Sequence, residues 1–445
     1  MPIELARRQG PGTSVPAMDG TSVVRRPPFG TNPLVGERGS DTQRRILAAA
    51  LDVFAEVGFH GAGVELITTR AGCSRPAFYQ YFSSKDDVFW RLAGQLGDDM
   101  VELGHQLGTV TPDPAGVATL AAWIDDFTTL YEAYAPVFSA FQAASRDHQH
   151  LAKGSSGISD RLGEALLGAF ASGRRAPADN TMATGMVAVL IRCSFYRQEM
   201  AGTVPRQDLV GSLAQLVHRS FLRPIDGVNV TRRRATRSRH RSVPALEPPP
   251  DDGRPLRPRG EKTRQRLLAA GAEVLPARGY HDSRVDDIVV VAAVSHGSFY
   301  RYFENKDDFF RVLAEEASTR MIELLDVFPA DAEPAALRRW LDDWFATYAG
   351  NGGVISTWQE VQWADPGLVS FSQQVAASVL ARLTRVLERR PFGDPLVDAL
   401  ALLALVERLP YSVFTLRFTD RADAIEAMVV IIRRGFLGLP EDGGR

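Results

Sequence analysis

The chain repeats itself, and this repeat limits its architecture more than any other feature of its 445 residues. Residues 42–93 align without a gap with residues 263–314, and 22 of the 52 aligned positions are identical. The identities include a Phe-Tyr-x-Tyr-Phe run that begins at Phe78 in the first copy and at Phe299 in the second. Because self-similarity at a fixed offset is typical of duplicated units, we predict that one unit of about 180 residues occurs twice in tandem.

The similarity weakens after this stretch but continues through each copy. The motif Trp123-x-Asp-Asp corresponds to Trp340-x-Asp-Asp, and His218-Arg-Ser-Phe-Leu corresponds to Arg433-Arg-Gly-Phe-Leu. Between the copies lie residues 223–260, which are rich in proline and carry ten arginines against four acidic residues. This segment is either a solvated linker or a basic strap that follows DNA phosphates or enters a minor groove, and the two roles are compatible.

The spacing of apolar residues predicts helices almost throughout each unit, and therefore an all-α fold. A first helix is predicted from a capping box at Ser40 to Gly58. A second, short helix has Ile67 on its apolar side, and a tight turn at Gly72 leads to Ser74, which can act as the N-cap of a third helix. Two short helices joined by a four-residue turn are typical of a helix-turn-helix.

The third helix is predicted to carry the residues that read DNA bases. Because Phe78 and Phe82 define its buried side, the neighbouring side chains lie on other faces, available to a major groove that admits one helix. The candidate DNA-binding residues are Ser74, Arg75, Ala77, Tyr79, Gln80 and Lys85 in the first unit, and Ser295, His296, Ser298, Tyr300, Arg301 and Lys306 in the second. Since the reading residues differ between the units, we hypothesise that the two units read different half-sites.

Two residue types in this set have alternative roles. Only four of the 51 basic residues are lysine, and Lys85 and Lys306 occupy matched positions just after the third helix. Each lysine either contacts a DNA phosphate or is a residue inherited from the duplication without that role. Tyr79 and Tyr300 either donate to phosphates or pack in the core.

Composition excludes several classes of protein. With 51 basic and 53 acidic residues, the chain lacks the net positive charge that would bind polyanions by overall electrostatic attraction. Affinity for DNA must therefore depend on a few placed residues. Two cysteines, Cys73 and Cys193, cannot form a disulfide scaffold or a four-cysteine zinc site, and they indicate a reducing cytoplasm. Arg7-Arg8 is not followed by an apolar segment, and no apolar run reaches about 18 residues, so we predict neither export nor a membrane span.

The stretch from Ile46-Leu-Ala-Ala-Ala to Ser74-Arg-Pro-Ala-Phe-Tyr-Gln-Tyr-Phe-x-x-Lys-Asp-Asp, and its repeat, resemble the N-terminal DNA-binding domain of TetR-type transcriptional regulators. The resemblance implies an all-α protein, usually a repressor that a small hydrophobic effector releases from its operator. Three positions depart from the family pattern, namely Pro76, Pro276 and Ala293, the last of which replaces the turn glycine. Because a non-glycine residue at positive φ costs roughly 1 kcal/mol, we predict a less regular second helix-turn-helix.

The resemblance and the repeat together predict six segments. They are an N-terminal arm (1–38), a first helix-turn-helix domain (39–99), a first helical ligand-binding and dimerisation domain (100–222), a basic linker (223–259), a second helix-turn-helix domain (260–320) and a second helical ligand-binding and dimerisation domain (321–439). We call the two helix-turn-helix domains the first head and the second head.

The helical domains contain rows of aromatic residues at helical spacing, which are either core residues or the lining of an effector pocket. The candidate ligand-binding residues are Trp123, Phe127, Tyr131, Phe141, Trp340, Trp344, Tyr348 and Trp358. The resemblance implies that the last two helices of each unit, 181–200 with 207–221 and 396–416 with 421–436, form a four-helix dimer interface. We therefore predict an intramolecular pseudo-dimer on an asymmetric operator, and the alternative is a homodimer with four heads.

Competing functional classes find less support in the sequence. No dinucleotide, nucleophile-elbow, Walker or His-Glu-x-x-His motif is present, so we predict no enzymatic activity, no catalytic residue and no cofactor. The sequence Asp147-His-Gln-His lacks a clear third ligand, and we interpret it as a polar loop and not as a metal site. The remaining alternative is a helical protein-interaction scaffold with one or both heads no longer reading DNA.

Overall fold

The computed structural model describes residues 37–145, 161–170, 177–200, 203–222, 258–280, 282–329, 331–361, 366–387 and 393–439. Every regular element among these residues is a helix, in agreement with the all-α prediction. Most of the N-terminal arm, most of the basic linker, the Asp147–His150 sequence and His281 lie outside the described residues.

The two units contain matched series of helices. In the first unit these are α1 (Glu37–Gly61), α2 (Val64–Ala71), α3 (Arg75–Tyr81), α4 (Lys85–Gln106), α5 (Pro114–Ser145), α6 (161–169), α7 (Pro177–Glu199) and α8 (Arg206–Phe221). In the second unit they are α9 (Pro258–Arg278), α10 (Val285–Val291), α11 (His296–Phe299), α12 (Lys306–Asp326), α13 (Pro334–Val361), α14 (Pro366–Leu387), α15 (Pro395–Tyr411) and α16 (Arg421–Val430). Short π-helical segments, Ser412–Leu416 and Ile431–Phe436, extend the last two helices.

The helix boundaries of the first head agree with the sequence except at its start. Helix α1 begins at Glu37, so Ser40 lies inside the helix and is not its N-cap, contrary to the prediction. An N-cap has non-helical backbone angles and precedes the first helical residue, so a residue three positions inside the helix cannot take that role. At Gly58 the backbone is non-helical, with φ 69°, as the predicted stop requires, and one further turn reaches Gly61.

Helix α5 is the longest described helix of the first unit, and it bends near Pro136. Pro136 lies inside it, and Tyr134 has non-helical angles of φ −114° and ψ 15°. A proline inside a helix removes a backbone hydrogen bond and clashes with the preceding turn, which explains the kink. The helix packs against α1, α4 and α8, and thereby connects the first head to the C-terminal helices of its unit.

The last two helices of each unit pack against those of the other unit. Helix α7 contacts α15 and α16, while α8 contacts α15 and the segment Ile431–Phe436. Bonds cross this surface between Thr181 and Thr419, whose hydroxyls lie 3.0 Å apart, and between the Asp394 amide and Ser212 Oγ, at 3.1 Å. The buried apolar residues of the first unit and of the second helical domain form one core, whereas those of the second head form a separate core.

One helical stretch, Pro395–Leu416, is long and apolar enough to cross a membrane by length and composition, with a mean hydropathy of 1.5. Uninterrupted apolar runs in the sequence do not reveal this candidate span. In the structure most of α15 is buried, and it packs against α7, α8 and α14. Burial between the two units accounts for its composition, because the core helix of a folded protein is apolar on all sides.

Candidate nucleic-acid interface

The first head forms a regular helix-turn-helix. Helix α2 ends at Gly72, which has a left-handed conformation with φ 61° and ψ 41°. The next helix, α3, begins at Ser74, whose hydroxyl accepts a bond from the Ala77 amide at 3.3 Å, as predicted for an N-cap. Phe78 and Phe82 anchor α3 in the core, since both side chains are at most 1% exposed.

The anchoring of α3 leaves its candidate reading residues at the surface. Arg75 and Gln80 are exposed, and Ala77 is half-buried. Tyr79 is 51% exposed while its ring packs edge-on against the ring of Phe78, with centroids 5.4 Å apart. These side chains of α3 are thus open to solvent, and their contact with DNA stays a prediction.

The second head has the same plan with a shorter third helix. Helix α11 has four residues where α3 has seven, and Ala293 has a positive φ of 50° at the position of Gly72. Strain at a non-glycine residue in this conformation fits the prediction of a less regular head. The buried anchor is kept, because Phe299 is 0% exposed and Phe303 is 3% exposed.

The exposed residues of the second head bond one another. His296 Nε2 lies 3.2 Å from Asp286 Oδ1 on α10, and the hydroxyls of Ser295 and Ser298 lie 2.8 Å apart. Tyr300 is 50% exposed, and Arg301 is also exposed. A base or phosphate would therefore have to compete with Asp286 for His296. The equivalent residue of the first head, Arg75, is exposed.

The two matched lysines have an internal role that differs from the predicted phosphate contact. Lys85 Nζ donates to the Phe59 carbonyl at 2.8 Å, and Lys306 Nζ donates to the Tyr280 carbonyl at 2.7 Å. Each ammonium also lies over the ring of that same residue, 4.6 Å and 4.3 Å from its centroid. Burial lowers the pKa of both lysines, and the charges of nearby aspartates oppose this shift. The ammonium groups thus join the start of α4 to the end of α1, and the start of α12 to the end of α9. We revise the role of both lysines accordingly.

One arginine in each head fixes the turn, and neither is among the residues predicted from the sequence. Arg45 Nη2 donates to the Gly72 carbonyl at 2.9 Å and also bonds the Ala71 carbonyl. Arg266 makes the same two bonds with Ala292 and Ala293, again at 2.9 Å for the latter. Both carbonyls belong to the unsatisfied end of the second helix. The signal in the sequence was the identity of Arg45 and Arg266 in the aligned copies.

Comparison with known proteins identifies both heads. The sequence profile of the family "Bacterial regulatory proteins, tetR family" matches residues 46–92 and residues 267–313. The chain therefore carries two TetR-type DNA-binding domains. The two matches lie inside the predicted heads and coincide with the repeat from which the duplication was inferred.

Among curated relatives, the transcriptional regulator AcuR of Cereibacter sphaeroides is 40% identical over 97 residues, which are 22% of this chain and 44% of AcuR. The transcriptional repressor DhaR of Mycobacterium sp. (strain GP1) is 35% identical over 96 residues, 21% of this chain and 48% of DhaR. The chain thus spans less than half the length of these relatives. A solved structure, the regulator FadR from Bacillus subtilis in complex with stearoyl-CoA, aligns with a TM-score of 0.32 and 21% identity over 40% of this chain and 99% of that one.

The aromatic rows of the two helical domains are packed in the core. Trp123, Trp340 and Trp344 donate their indole N–H groups at 2.8 Å to the carbonyls of Leu103, Leu324 and Val406, respectively. Each of the described candidate ligand-binding side chains is at most 5% exposed; they are Trp123, Phe127, Tyr131, Trp340, Trp344 and Tyr348. The side chains of Phe141 and Trp358 lie outside the described residues. In this conformation the rows serve as core, and a pocket along them requires that helices separate.

A cavity of about 90 Å³ lies between the two units, near the N-terminus of α7. Its lining is rich in hydroxyl groups and includes Thr181, Thr184, Ser412 and Thr419. A space of this size holds a few water molecules and is far smaller than the roughly 300 Å³ or more of a drug-sized ligand site. It is therefore no match for the predicted hydrophobic effector.

The described residues contain no cluster of three or more His, Cys, Asp or Glu side chains placed to hold a metal ion. Cys73 and Cys193 are free thiols, and burial raises the pKa of both. A raised thiol pKa disfavours the thiolate that metal binding and nucleophilic chemistry require.

Proposed function

We propose that the protein is a sequence-specific DNA-binding transcriptional regulator with two non-identical heads in one chain. This proposal rests on one observation. The two matched helix-turn-helix domains share buried phenylalanine anchors but expose different residues at Arg75/His296 and Gln80/Arg301. Arginine reads guanine and glutamine reads adenine in a major groove, so the two heads would prefer different bases. Apart from Lys85 and Lys306, whose role is revised above, the candidate DNA-binding residues and the six predicted segments are retained as part of this proposal.

Each head would bind one half-site, and the near-neutral chain would depend on few contacts with phosphates. The basic linker could add such contacts. The relatives include both a repressor, DhaR, and an activator, FasR of Mycolicibacterium smegmatis, which is 38% identical over 80 residues, 18% of this chain and 36% of FasR. We propose repression that a small hydrophobic effector relieves. DNA as the target implies that the protein acts in the cytoplasm.

We further propose that one chain is an intramolecular pseudo-dimer. The packing of α7 and α8 on α15 and α16 supports this proposal, as do the two hydrogen bonds between the units described above. Light scattering tests it, because one chain has a mass of 48.7 kDa. A mass near that value is expected, and twice that value would favour the homodimer with four heads.

Genomic footprinting of the intact protein tests the regulatory function, because it yields both half-sites and their spacing at once. Arg75→Ala should weaken protection of one half-site by about 1–3 kcal/mol in binding free energy, and Arg301→Ala should do so at the other. The matched control is Arg44→Ala, which removes an exposed arginine from α1 outside the recognition helix. Unchanged protection in both variants would contradict the site assignment.

The effector proposal needs a separate measurement. Titration with fatty acids and with aromatic compounds should change tryptophan fluorescence, because Trp123, Trp340 and Trp344 lie in the helical domains. The same compounds should release the protein from its operator. Binding without release would contradict the proposed relief of repression, while leaving DNA recognition intact.

A protein-interaction scaffold is the second candidate function. The specific observation in its favour is an apolar surface on α10 of the second head, where Val290 is 76% exposed and Val291 is 45% exposed. The aligned residues of the first head are Thr69 and Arg70, which are polar. If footprinting finds no protected operator anywhere in the genome, the scaffold becomes the better interpretation.

A further inference from the structure

The C-terminal helices of the two units correspond residue by residue. At an offset of 215, residues 179–222 align without a gap with 394–437, and the identities include Tyr196/Tyr411 and Arg206/Arg421. The structure supports this register, because Arg206 Nε bonds Asp125 Oδ1 at 2.5 Å and Arg421 Nη2 bonds the equivalent Asp342 Oδ1 at 2.9 Å. The interface between the units is therefore pseudo-twofold, and positions on its axis contact their own equivalents.

One such axial position carries opposite charges in the two units. Arg192 and Glu407 are equivalent at this offset, and Arg192 Nε donates to Glu407 Oε2 at 3.0 Å. The side chains are 11% and 18% exposed, so the pair is largely removed from water. The Tyr196 hydroxyl donates to the same carboxylate oxygen at 2.7 Å, which adds a second bond to the glutamate.

A second axial position shows a steric difference of the same kind. Ser220 and Gly435 are equivalent, and they face each other across the interface. A Cβ atom added at Gly435 would overlap Ser220 Oγ and would lie 2.8 Å from Leu216 Cδ1. A hydrogen bond holds the backbone of Gly435 close to the first unit, because Arg219 Nε donates to the Gly435 carbonyl at 2.9 Å. At this position on the axis there is room for one side chain, which Ser220 of the first unit supplies.

We infer that this surface selects a unit of the opposite kind, so that a first unit pairs with a second unit and not with another first unit. Two first units would bring Arg192 against Arg192 and Ser220 against Ser220. Two second units would bring Glu407 against Glu407 and leave a gap at Gly435. Uncompensated buried charge is strongly unfavourable, and such repulsion is how interfaces reject wrong partners.

This selectivity disfavours the like-with-like pairing that would join two chains into a homodimer with four heads. It rests on the pseudo-dimer proposed above and needs no assumption about DNA or an effector. Within one chain, the linker raises the effective concentration of the complementary unit, which favours pairing inside the chain over pairing between chains.

The first experiment reverses the two charges in the full chain, without DNA. Arg192→Glu and Glu407→Arg should each lower the midpoint of thermal unfolding by roughly 10 °C, since each places like charges in the interface. The double variant Arg192→Glu/Glu407→Arg should recover most of this loss, because it restores opposite charges. A double variant as unstable as the single variants would overturn the inference.

The second experiment mixes the two single variants. In an equimolar mixture, the reversed charge at position 192 of one chain meets the reversed charge at position 407 of the other, and the two remaining positions are also complementary. We expect a complex of about twice 48.7 kDa that neither variant forms alone. This arm works even when a single variant folds poorly, and a mixture that stays at the mass of one chain would overturn the inference.

Two controls separate selectivity from general fragility. Glu426→Arg reverses a charge that pairs with Arg338 at 2.6 Å but is 46% exposed and lies within the second unit, so little change in the unfolding midpoint is expected. Gly435→Ser should destabilise the chain, and Ser220→Gly/Gly435→Ser should recover stability. If DNA binding fails while the mixture still forms its complex, the regulatory function is wrong and the pairing inference stands; a wild-type mass of two chains would instead contradict the pseudo-dimer.

Discussion

The ammonium of Lys85 donates to the carbonyl oxygen of Phe59, 2.8 Å away, and so links the first turn of α4 to the end of α1. The second head repeats the link between Lys306 and Tyr280. Each lysine joins the end of the first helix of its head to the start of the fourth helix. The third helix lies between these two points in the chain, so the lysine helps to hold it in position. Its contribution to DNA binding is then indirect, through the geometry of the head.

Lys85→Met tests this indirect role, because methionine keeps an apolar side chain and removes the donor. We expect the free energy of unfolding to fall by about 1–2 kcal/mol. The slope of operator affinity against salt should not change, whereas loss of a phosphate contact would reduce it by about 1. Denaturant unfolding and binding at several salt concentrations give both readouts. Lys262→Met, at an exposed lysine on α9, is the control and should leave stability within about 0.5 kcal/mol of wild type.

Arg45 should matter to stability far more than its neighbour Arg44. Arg45 satisfies two carbonyls at the end of α2, while Arg44 is 76% exposed and pairs with Asp41 at 3.3 Å. Arg45→Ala is expected to lower the free energy of unfolding by about 1–3 kcal/mol, and Arg44→Ala by less than about 1 kcal/mol. Hydrogen exchange of the amides around Gly72 should accelerate in the first variant only. Equal effects in denaturant unfolding would show that the carbonyl bonds contribute nothing.

Ala293→Gly should stabilise the second head. The alanine has φ 50° at the position where the first head has Gly72 with φ 61°. Relief of this conformation is expected to raise the free energy of unfolding by about 0.5–1 kcal/mol. Gly72→Ala is the reciprocal control and should destabilise the first head, also because its Cβ would lie 3.2 Å from Arg45 Nη2. A neutral Ala293→Gly would mean that the second head does not strain this residue.

Local patterns in the sequence were enough to predict the heads. Phe78 and Phe82 lie four residues apart, so their shared burial follows from helical periodicity, and the positive φ of Gly72 and Ala293 follows from the turn between two short helices. The kink at Pro136 is also local. In each case the physical cause lies within one helix turn of the residue concerned.

Interactions between distant residues could not be predicted in this way. Lys85 and Phe59 are separated by 26 positions, so the internal use of the ammonium becomes visible only when α1 and α4 are packed together. Arg192 and Glu407 are separated by 215 positions, and each one alone looks like an ordinary charged residue on an apolar helix. The resemblance to TetR-type regulators implied that the units pair. The residues that select the partner could be identified only from the packed interface.

The stabilising contribution of protonated Asp398, at the interface between the units, should be lost as pH rises from about 4 to 7. This carboxylate is 4% exposed, and its Oδ1 has no hydrogen-bond partner among the described residues. Burial raises the pKa of Asp398 from 3.8 to about 7, Arg219 opposes the shift, and Asp394 adds to it. Because the folded pKa exceeds the unfolded pKa, the folded state binds more protons in this window, and stability present at low pH is lost as the carboxylate ionises.

Asp398→Asn removes this dependence, since the amide is neutral at every pH. At pH 8 the variant should exceed wild type in free energy of unfolding by about 2–4 kcal/mol, and the difference should shrink towards pH 5. Denaturant unfolding of both proteins between pH 5 and 8.5 measures it. Asp98→Asn, at an exposed residue of α4, is the matched control and should differ from wild type by a constant amount over this range. A constant difference for Asp398→Asn as well would mean that Asp398 stays ionised in the folded protein and that its charge is compensated by Arg219.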